Sequence, residues 1–275
     1  MVASRVDYGR DEVEAARSVL VELIHLLGEY RDNIVVVGGW VPELLFHDSR
    51  VPHVGSMDID LAMDHRALQD AGYKTILRLL LARGYRQGPQ PFIFYRSVRR
   101  GDRDIVVEVD LLAGEYQGTG KGHRTQAVRD TRARKARGCD LAFDMSTDVT
   151  ITGELPEGGQ DSVVARVAGI VPFLAMKAMA LRDRLKEKDA WDIYYCIRYY
   201  PGGLDALIEA IRPHVGHGLV REGLLIIKEK FASPDHIGPR FVADFDGLED
   251  TEDRAMTQQD AYQRVAYLLG RLGIG

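Results

Sequence analysis

Ser56-Met57-Asp58-Ile59-Asp60-Leu61, preceded by Asn33-Ile34-Val35-Val36-Val37-Gly38-Gly39, a β-branched run closed by a glycine pair, decides how this chain is read. Side chains at i and i+2 of a strand leave the same face about 7 Å apart, so Asp58 and Asp60 face one point. Two like charges that close call for a cation between them or for a raised pKa. The spacing therefore predicts a divalent-metal site, and glycine-flanked strands beside it point to phosphate chemistry.

Ile105-Val106-Val107-Glu108-Val109-Asp110-Leu111-Leu112 supplies a third acid. Glu108 and Asp110 share one face of this run and Val107 and Val109 the other, so its carboxylates can meet Asp58 and Asp60 on a neighbouring strand. Three such acids can hold two Mg²⁺ (or Mn²⁺) ions, neutralise a triphosphate and activate an attacking oxygen.

The bulk properties set limits on this reading. With 275 residues, 45% of them hydrophobic and 28% charged, the chain is long enough for two well-filled structural units, and global disorder is excluded. The first residues lack an apolar core for secretion and no stretch reaches about 18 uncharged apolar residues, which predicts a cytoplasmic protein with no membrane partner. Two cysteines, Cys139 and Cys196, make neither a disulfide framework nor a zinc site. A net charge of −5 conceals an uneven distribution, because Arg96–Arg137 holds eleven basic residues against six acidic ones. That local excess suits a polyphosphate or an RNA end; a solvated helix face or loop is its other reading.

Periodicity predicts an amphipathic helix over 11–30 with Asp11 as N-cap, a strand over 33–37, a short helix from Trp40 to Phe46 and a strand over 56–63. A helix over 66–83 and strands at 92–95 and 105–112, joined by the basic turn 99–103, follow. Residues 114–138 read as a loop and a polar helix, and 147–154 with 162–167 as a hairpin. From Pro172 onward helices are expected at 172–181, 189–200, 204–212, 217–231 and 251–272, with Pro201-Gly202-Gly203 and Pro234–Pro239 as breaks.

These motifs carry a resemblance. Gly38-Gly39, the helix after it, Ser56-x-Asp58-Ile59-Asp60-Leu61 and Val109-Asp110-Leu111 look like the core signature of the DNA polymerase β-like nucleotidyltransferase superfamily. The resemblance implies that Gly38 and Gly39 approach the nucleotide phosphates, that Asp58 and Asp60 hold catalytic metals, and that Asp110 binds metal and helps activate the acceptor. Ser56 stands where that pattern has Ser or Thr, facing the acid side of the strand, and is assigned to a phosphate oxygen; a turn-satisfying hydroxyl is the alternative.

A second block narrows the branch. Leu174-Ala175-Met176-Lys177-Ala178-Met179-Ala180-Leu181-Arg182, followed by Lys188-Asp189-Ala190-Trp191-Asp192, resembles the helical Lys…Lys-Asp-x-x-Asp block of AbiEii-type nucleotidyltransferases, the toxins of type IV toxin–antitoxin systems. It implies that Lys177 binds the triphosphate and that Asp192 completes the site, with Asp189 a second candidate. A lysine snorkelling from an apolar helix and an aspartate N-cap are the competing readings. Many relatives carry a basic residue four positions before the first metal acid; here that residue is Val54, with His53 and Arg50 as the nearest substitutes. The gap from Gly39 to Asp58 is also longer than in the minimal pattern.

Weaker signals lead elsewhere. Gly118-Thr119-Gly120-Lys121-Gly122 lacks the spacing and hydroxyl of a phosphate-binding loop and reads as a flexible loop. His214-x-x-His217 reads as a helix end, and Tyr194, Tyr195, Tyr199 and Tyr200 as core packing rather than a base-stacking platform.

The expectation is an α+β fold: a nucleotidyltransferase-type mixed sheet flanked by helices over 1–170, then a helical domain over 171–275 that completes the nucleotide site. The expected activity is Mg²⁺-dependent transfer of NMP from an NTP to an acceptor hydroxyl. An RNA acceptor such as a tRNA end, with a cognate antitoxin as protein partner, is what the AbiEii resemblance implies. An antibiotic nucleotidyltransferase acting on an aminoglycoside or lincosamide, and a non-catalytic nucleotide-binding protein of the same fold, are the alternatives.

Overall fold

The computed structural model describes residues 4–64, 67–68, 70–113, 125–128, 131–135 and 137–274. The chain divides into two compact units, one formed by Gly9–Leu45 and Gly55–Gly169, the other by Met1–Tyr8, Phe46–Val54 and Ile170–Gly275. The fold is mixed α+β.

The sheet unit contains α1 (Arg10–Leu26), β1 (Ile34–Val37), α2 (Val41–Leu45), β2 (Asp58–Met63), α3 (Asp70–Ala82), β3 (Arg86–Gln87) and β4 (Ile93–Arg100). It continues with β5 (Arg103–Ala113), β6 (Thr125–Val128), β7 (Thr131–Lys135), α4 (Cys139–Asp144), β8 (Ser146–Glu154) and β9 (Gln160–Ala168). Seven strands run in the order β3-β4-β5-β2-β1-β9-β8, while β7 pairs with β5 and with β6. The sheet is mixed: β2 lies parallel to β5 and β1 parallel to β9, whereas β1 with β2, β4 with β5 and β8 with β9 are antiparallel.

One face of the sheet is closed by α1. Ala15, Ala16, Val19, Leu20 and Leu23 recur at helical spacing and are fully buried, and α1 packs on β4, β5, β8 and β9. Phe94, Val109 and Ile59 are equivalent in register across β4, β5 and β2, and all three are fully buried, so the apolar alternation of each strand merges into one layer. The period-2 pattern that buries these residues sends Asp58, Asp60, Glu108 and Asp110 to the other face. Asp11 and Glu12 lie in the first turn of α1, where carboxylates meet unsatisfied N–H groups; Gly9, not Asp11, is the N-cap.

Several boundaries differ from the sequence reading. The helix expected to reach residue 30 stops at Leu26 and gives way to a 3-10 turn over Gly28–Asn33. The polar helix expected within 114–138 is contradicted by β6 and β7: Leu112 and Ala113 of β5 are opposite Arg134 and Lys135, so a free strand edge recruits the stretch as a strand. The Gly118–Gly122 loop lies outside the described residues. Between β4 and β5 the basic turn forms as expected, with Gly101 at φ 58°.

The second unit contains α5 (Ile170–Arg184), α6 (Glu187–Tyr199), α7 (Gly203–Ile211), α8 (Gly218–Lys230), α9 (Ile237–Phe245) and α10 (Thr251–Arg271). Helix α5 is buried nearly all round, from Val171 and Phe173 to Ala178 and Leu181, as a central core helix should be. Pro172 is its third residue, in the first turn, where the missing N–H has no helical partner to lose. Pro239 occupies the same place in α9. The Pro234–Pro239 stretch, read as a break, therefore ends inside the first turn of a helix the sequence reading omitted. Asp250 caps α10, accepting from the backbone N–H groups of Glu252 and Asp253 at 2.8 and 3.1 Å.

Candidate active site

The register between β2 and β5 gathers the acids. Asp58 lies opposite Glu108 and Asp60 opposite Asp110, so four carboxylates share one face of two adjacent parallel strands. Asp58 is exposed, Asp60 and Glu108 are half-buried and Asp110 is buried. Gly38 and Gly39 follow β1 in a 3-10 turn that runs through Trp40, and β1 pairs with β2 so that Val37 faces Asp60. Gly38 has φ 73°, and a Cβ there would overlap the Asp60 Oδ2. Only a glycine lets this backbone reach the carboxylate.

Two neighbours orient the first acid. The Ser56 hydroxyl, itself buried, donates to Asp58 Oδ1 at 2.5 Å. The Trp40 indole donates to the Asp58 carbonyl at 2.9 Å, pinning the start of β2 to the glycine turn. On the other flank Tyr95 of β4 lies opposite Glu108, whose charge, with burial and the charge of Asp110 beyond it, pushes the Tyr95 phenol above its ordinary pKa. Sequence reasoning missed Tyr95 and Trp40 as parts of this face. Trp40 directly follows the glycine pair of the motif and Tyr95 lies outside it, and only the turn and the strand register bring the two to the acids.

The donor set is all oxygen, the chemistry that suits hard divalent ions such as Mg²⁺ or Mn²⁺. Among the described residues no group of three His, Cys, Asp or Glu side chains is gathered as a metal-binding cluster. The fit therefore lies in the donor types, the shared face and the Gly38 cradle against Asp60.

Lys177, Asp189 and Asp192 belong to the other unit, where they form a buried ionic cluster with Lys188, Arg184 and His53. The Lys177 ammonium lies 2.9 Å from Asp189 Oδ1 and 2.7 Å from Asp192 Oδ2. Lys188, one helical turn before Asp192 on α6, donates to both its oxygens at 2.9 and 3.1 Å. Arg184 forks onto Asp189, with both bonds at 2.7 Å. His53 Nε2 lies 3.0 Å from Asp192 Oδ1. The link from α5 to α6 passes through Leu185, whose φ of 48° is the left-handed region.

Charge in this cluster is fixed by mutual pairing. Burial alone would lower the Lys177 pKa, but Asp189 and Asp192 together outweigh it and hold the ammonium above the ordinary lysine value. Burial alone would raise the Asp192 carboxyl; Lys177, Lys188 and the His53 hydrogen bond override it and keep Asp192 well below the usual carboxylate range. Asp189 is lowered against the same burial by Lys177 and Arg184. The His53 imidazole is driven from 6.5 down to about 4, chiefly by burial and then by Lys188 and Lys177 against the opposing Asp192. His53, the nearest substitute for a basic residue before the first acid, is thus a fully buried neutral partner of Asp192. The sequence reading gave neither Lys188 nor His53 a place here; the i, i+4 spacing of Lys188 to Asp192 is a signal that could have found the first, and nothing in the sequence points to the second.

Four of the eleven basic residues of the Arg96–Arg137 segment are paired within the sheet unit. Arg96 pairs with Glu22 at 2.9 Å and Glu157 at 3.0 Å, Arg99 with Asp104 at 3.3 Å, Arg100 with Glu154 at 2.8 Å, and Arg103 with Asp11 at 2.7 Å. Lys121, Arg124 and Arg129 lie outside the described residues. Tyr194 and Tyr195 of α6 pack as core, Tyr195 donating to the Val51 carbonyl at 2.7 Å and Tyr194 to Asp260 at 2.5 Å, whereas Tyr199 and Tyr200 are half-buried. His214 ends a 3-10 turn and His217 is the N-cap of α8.

Compared with known proteins, the chain matches no family model and no curated sequence.

Proposed function

We propose that this chain is a divalent-metal-dependent nucleotidyltransferase, with a nucleotidyltransferase-type sheet, that moves an NMP group from an NTP to an acceptor hydroxyl and releases pyrophosphate. The observation that supports it is the β2–β5 register, Asp58 opposite Glu108 and Asp60 opposite Asp110, on the face cradled by Gly38. Asp58, Asp60 and Asp110 would hold Mg²⁺ or Mn²⁺, which when bound neutralises the triphosphate and polarises the attacking oxygen.

The chain's own residues do the rest. Asp110 takes the proton of the acceptor hydroxyl as that oxygen bonds to the α-phosphorus and the bond to pyrophosphate breaks. Gly38 and Gly39 let backbone approach phosphate, and Ser56 orients Asp58. Lys177, which the motif assigns to the triphosphate, stays charged across physiological pH because Asp189 and Asp192 face it. Asp192 holds that ammonium in place.

For the acceptor, the AbiEii-like helical block favours RNA, a tRNA end in particular, and with it the role of a type IV toxin with a cognate antitoxin. The ion pairs of Arg96, Arg99, Arg100 and Arg103 favour a second reading, a small-molecule acceptor of the aminoglycoside class, because those arginines are already engaged. A transfer assay with α-labelled NTPs, Mg²⁺ and either tRNA or an aminoglycoside decides between them. Label is expected on tRNA and absent with Asp58→Ala/Asp60→Ala protein; undiminished labelling by that variant overturns the assignment.

A further inference from the structure

Phe46–Val54 belongs to the helical unit, although the residues on either side of it in sequence belong to the sheet unit. It is laid along α6. The Phe46 ring stacks on Tyr195 at 6.2 Å, the Val51 carbonyl accepts from the Tyr195 hydroxyl at 2.7 Å, and His53 sits against the Trp191 and Tyr195 rings at 5.1 and 4.8 Å. The end of this segment thus delivers an imidazole with no exposed side-chain surface to Asp192.

Asp192 is an ionised acceptor already holding two ammonium groups, so the imidazole nitrogen 3.0 Å away carries the hydrogen and donates it. A second charge is not needed for that bond, and an imidazolium would stand against Lys177 and Lys188. Neutral imidazole with its proton on Nε2 is the form that donates to Asp192 Oδ1 beside Lys188, while Oδ2 accepts from Lys177 and Lys188.

We propose that His53 is a positioning residue: through its Nε2–H it fixes the rotation of the Asp192 carboxylate, and with it the places of the Lys177 and Lys188 ammonium groups. This rests on the nucleotidyltransferase reading for its effect on transfer, not for the geometry itself. The segment Phe46–Val54 is then more than a connection, because its docking on α6 sets the alignment of the buried cluster.

Two substitutions separate positioning from packing. His53→Phe keeps a ring against Trp191 and Tyr195 but has no N–H; His53→Gln loses the ring but keeps an N–H at similar reach. With transfer rates referred to folded protein by circular dichroism, positioning predicts a loss of at least about tenfold in kcat/KM for His53→Phe and recovery to within about threefold for His53→Gln. The reverse order, Phe active and Gln impaired, overturns the proposal. Nitrogen-15 NMR of the wild-type protein gives a readout independent of activity: His53 neutral with its proton on Nε2 at pH 7 supports the alignment, and a proton on Nδ1 overturns it. If wild-type protein transfers no nucleotide, the function reading falls, and the NMR form together with the unfolding temperatures of the two variants, Gln above Phe, still decides the His53–Asp192 bond.

Discussion

Asp60 and Asp110 are direct neighbours across the parallel β2–β5 pair, one carboxylate half-buried and the other buried, on the face away from α1. Bringing like charges together costs stability, so the arrangement is one that a bound cation would relieve. We expect Asp60→Asn and Asp110→Asn to melt no lower than the wild type in metal-free buffer, yet to lose at least about a hundredfold in transfer rate. Scanning calorimetry with and without Mg²⁺ checks the pairing of effects: added Mg²⁺ with NTP raises the wild-type melting temperature and leaves Asp60→Asn/Asp110→Asn unmoved.

Gly38 is tied to Asp60 by space as well as by backbone conformation. Its φ of 73° costs any L-residue about 1 to 2 kcal/mol, and a Cβ would also overlap the Asp60 Oδ2. Gly101, at φ 58° in the β4–β5 turn, has nothing within 4 Å of where a Cβ would stand and bears the conformational cost alone. Urea unfolding of Gly38→Ala and Gly101→Ala therefore separates the two costs. The first is expected to lose more than about 2 kcal/mol and the second about 1; equal losses would mean the glycine turn is not in contact with the acid.

The strands and the acid face were legible because period-2 alternation states both the burial of Ile59, Val107 and Val109 and the shared side of Asp58, Asp60, Glu108 and Asp110. The register between strands was not, since it depends on long-range pairing. For that reason Tyr95 went unseen beside Glu108 although both lie in well-marked strands. The 131–135 stretch misled for a related reason: its polar, arginine-rich composition says nothing about the open edge of β5 that makes it a strand. Lys177 and Asp192 were legible as a motif, but a motif does not state burial. The structure adds Lys188, Arg184 and His53 around them, the last from a segment 139 residues before Asp192 in the chain.

His53 gives the protein a specific acid sensitivity. Its pKa is 6.5 when unperturbed and about 4 when folded, so between those values the unfolded chain binds the extra proton and stability rises with pH. The contribution is complete above about pH 6.5 and is lost as pH falls toward 4, by up to about 3 kcal/mol. Asp192 and Asp189, held below the usual carboxylate range, add a separate loss that sets in only below about pH 4. Chemical denaturation at pH steps from 7 to 4 is expected to give a sloping stability for the wild type and a flatter one for His53→Gln over the same range; identical slopes would exclude His53 as the source.

On the opposite side of the sheet from the acids, Glu22 of α1 is 2% exposed and carries the charges of two arginines, Arg83 at 2.7 Å and Arg96 at 2.9 Å. Burial would raise its pKa, but the hydrogen bonds from Arg96 and Arg83 override it and the carboxyl stays below the ordinary value. Arg96 and Tyr95 are consecutive on β4 and so point to opposite faces, one toward this ion pair and the other toward Glu108. Glu22→Gln removes the buried charge that faces both guanidinium groups, and although Glu157 still lies 3.0 Å from Arg96 and 3.4 Å from Arg83, the change costs about 1 to 3 kcal/mol. Substituting Glu22 therefore acts on the sheet unit as a whole: guanidinium unfolding should show a large loss, while transfer per folded molecule at low temperature stays close to wild type. A selective loss of transfer with unchanged stability would mean that α1, rather than the far face, carries the reacting groups.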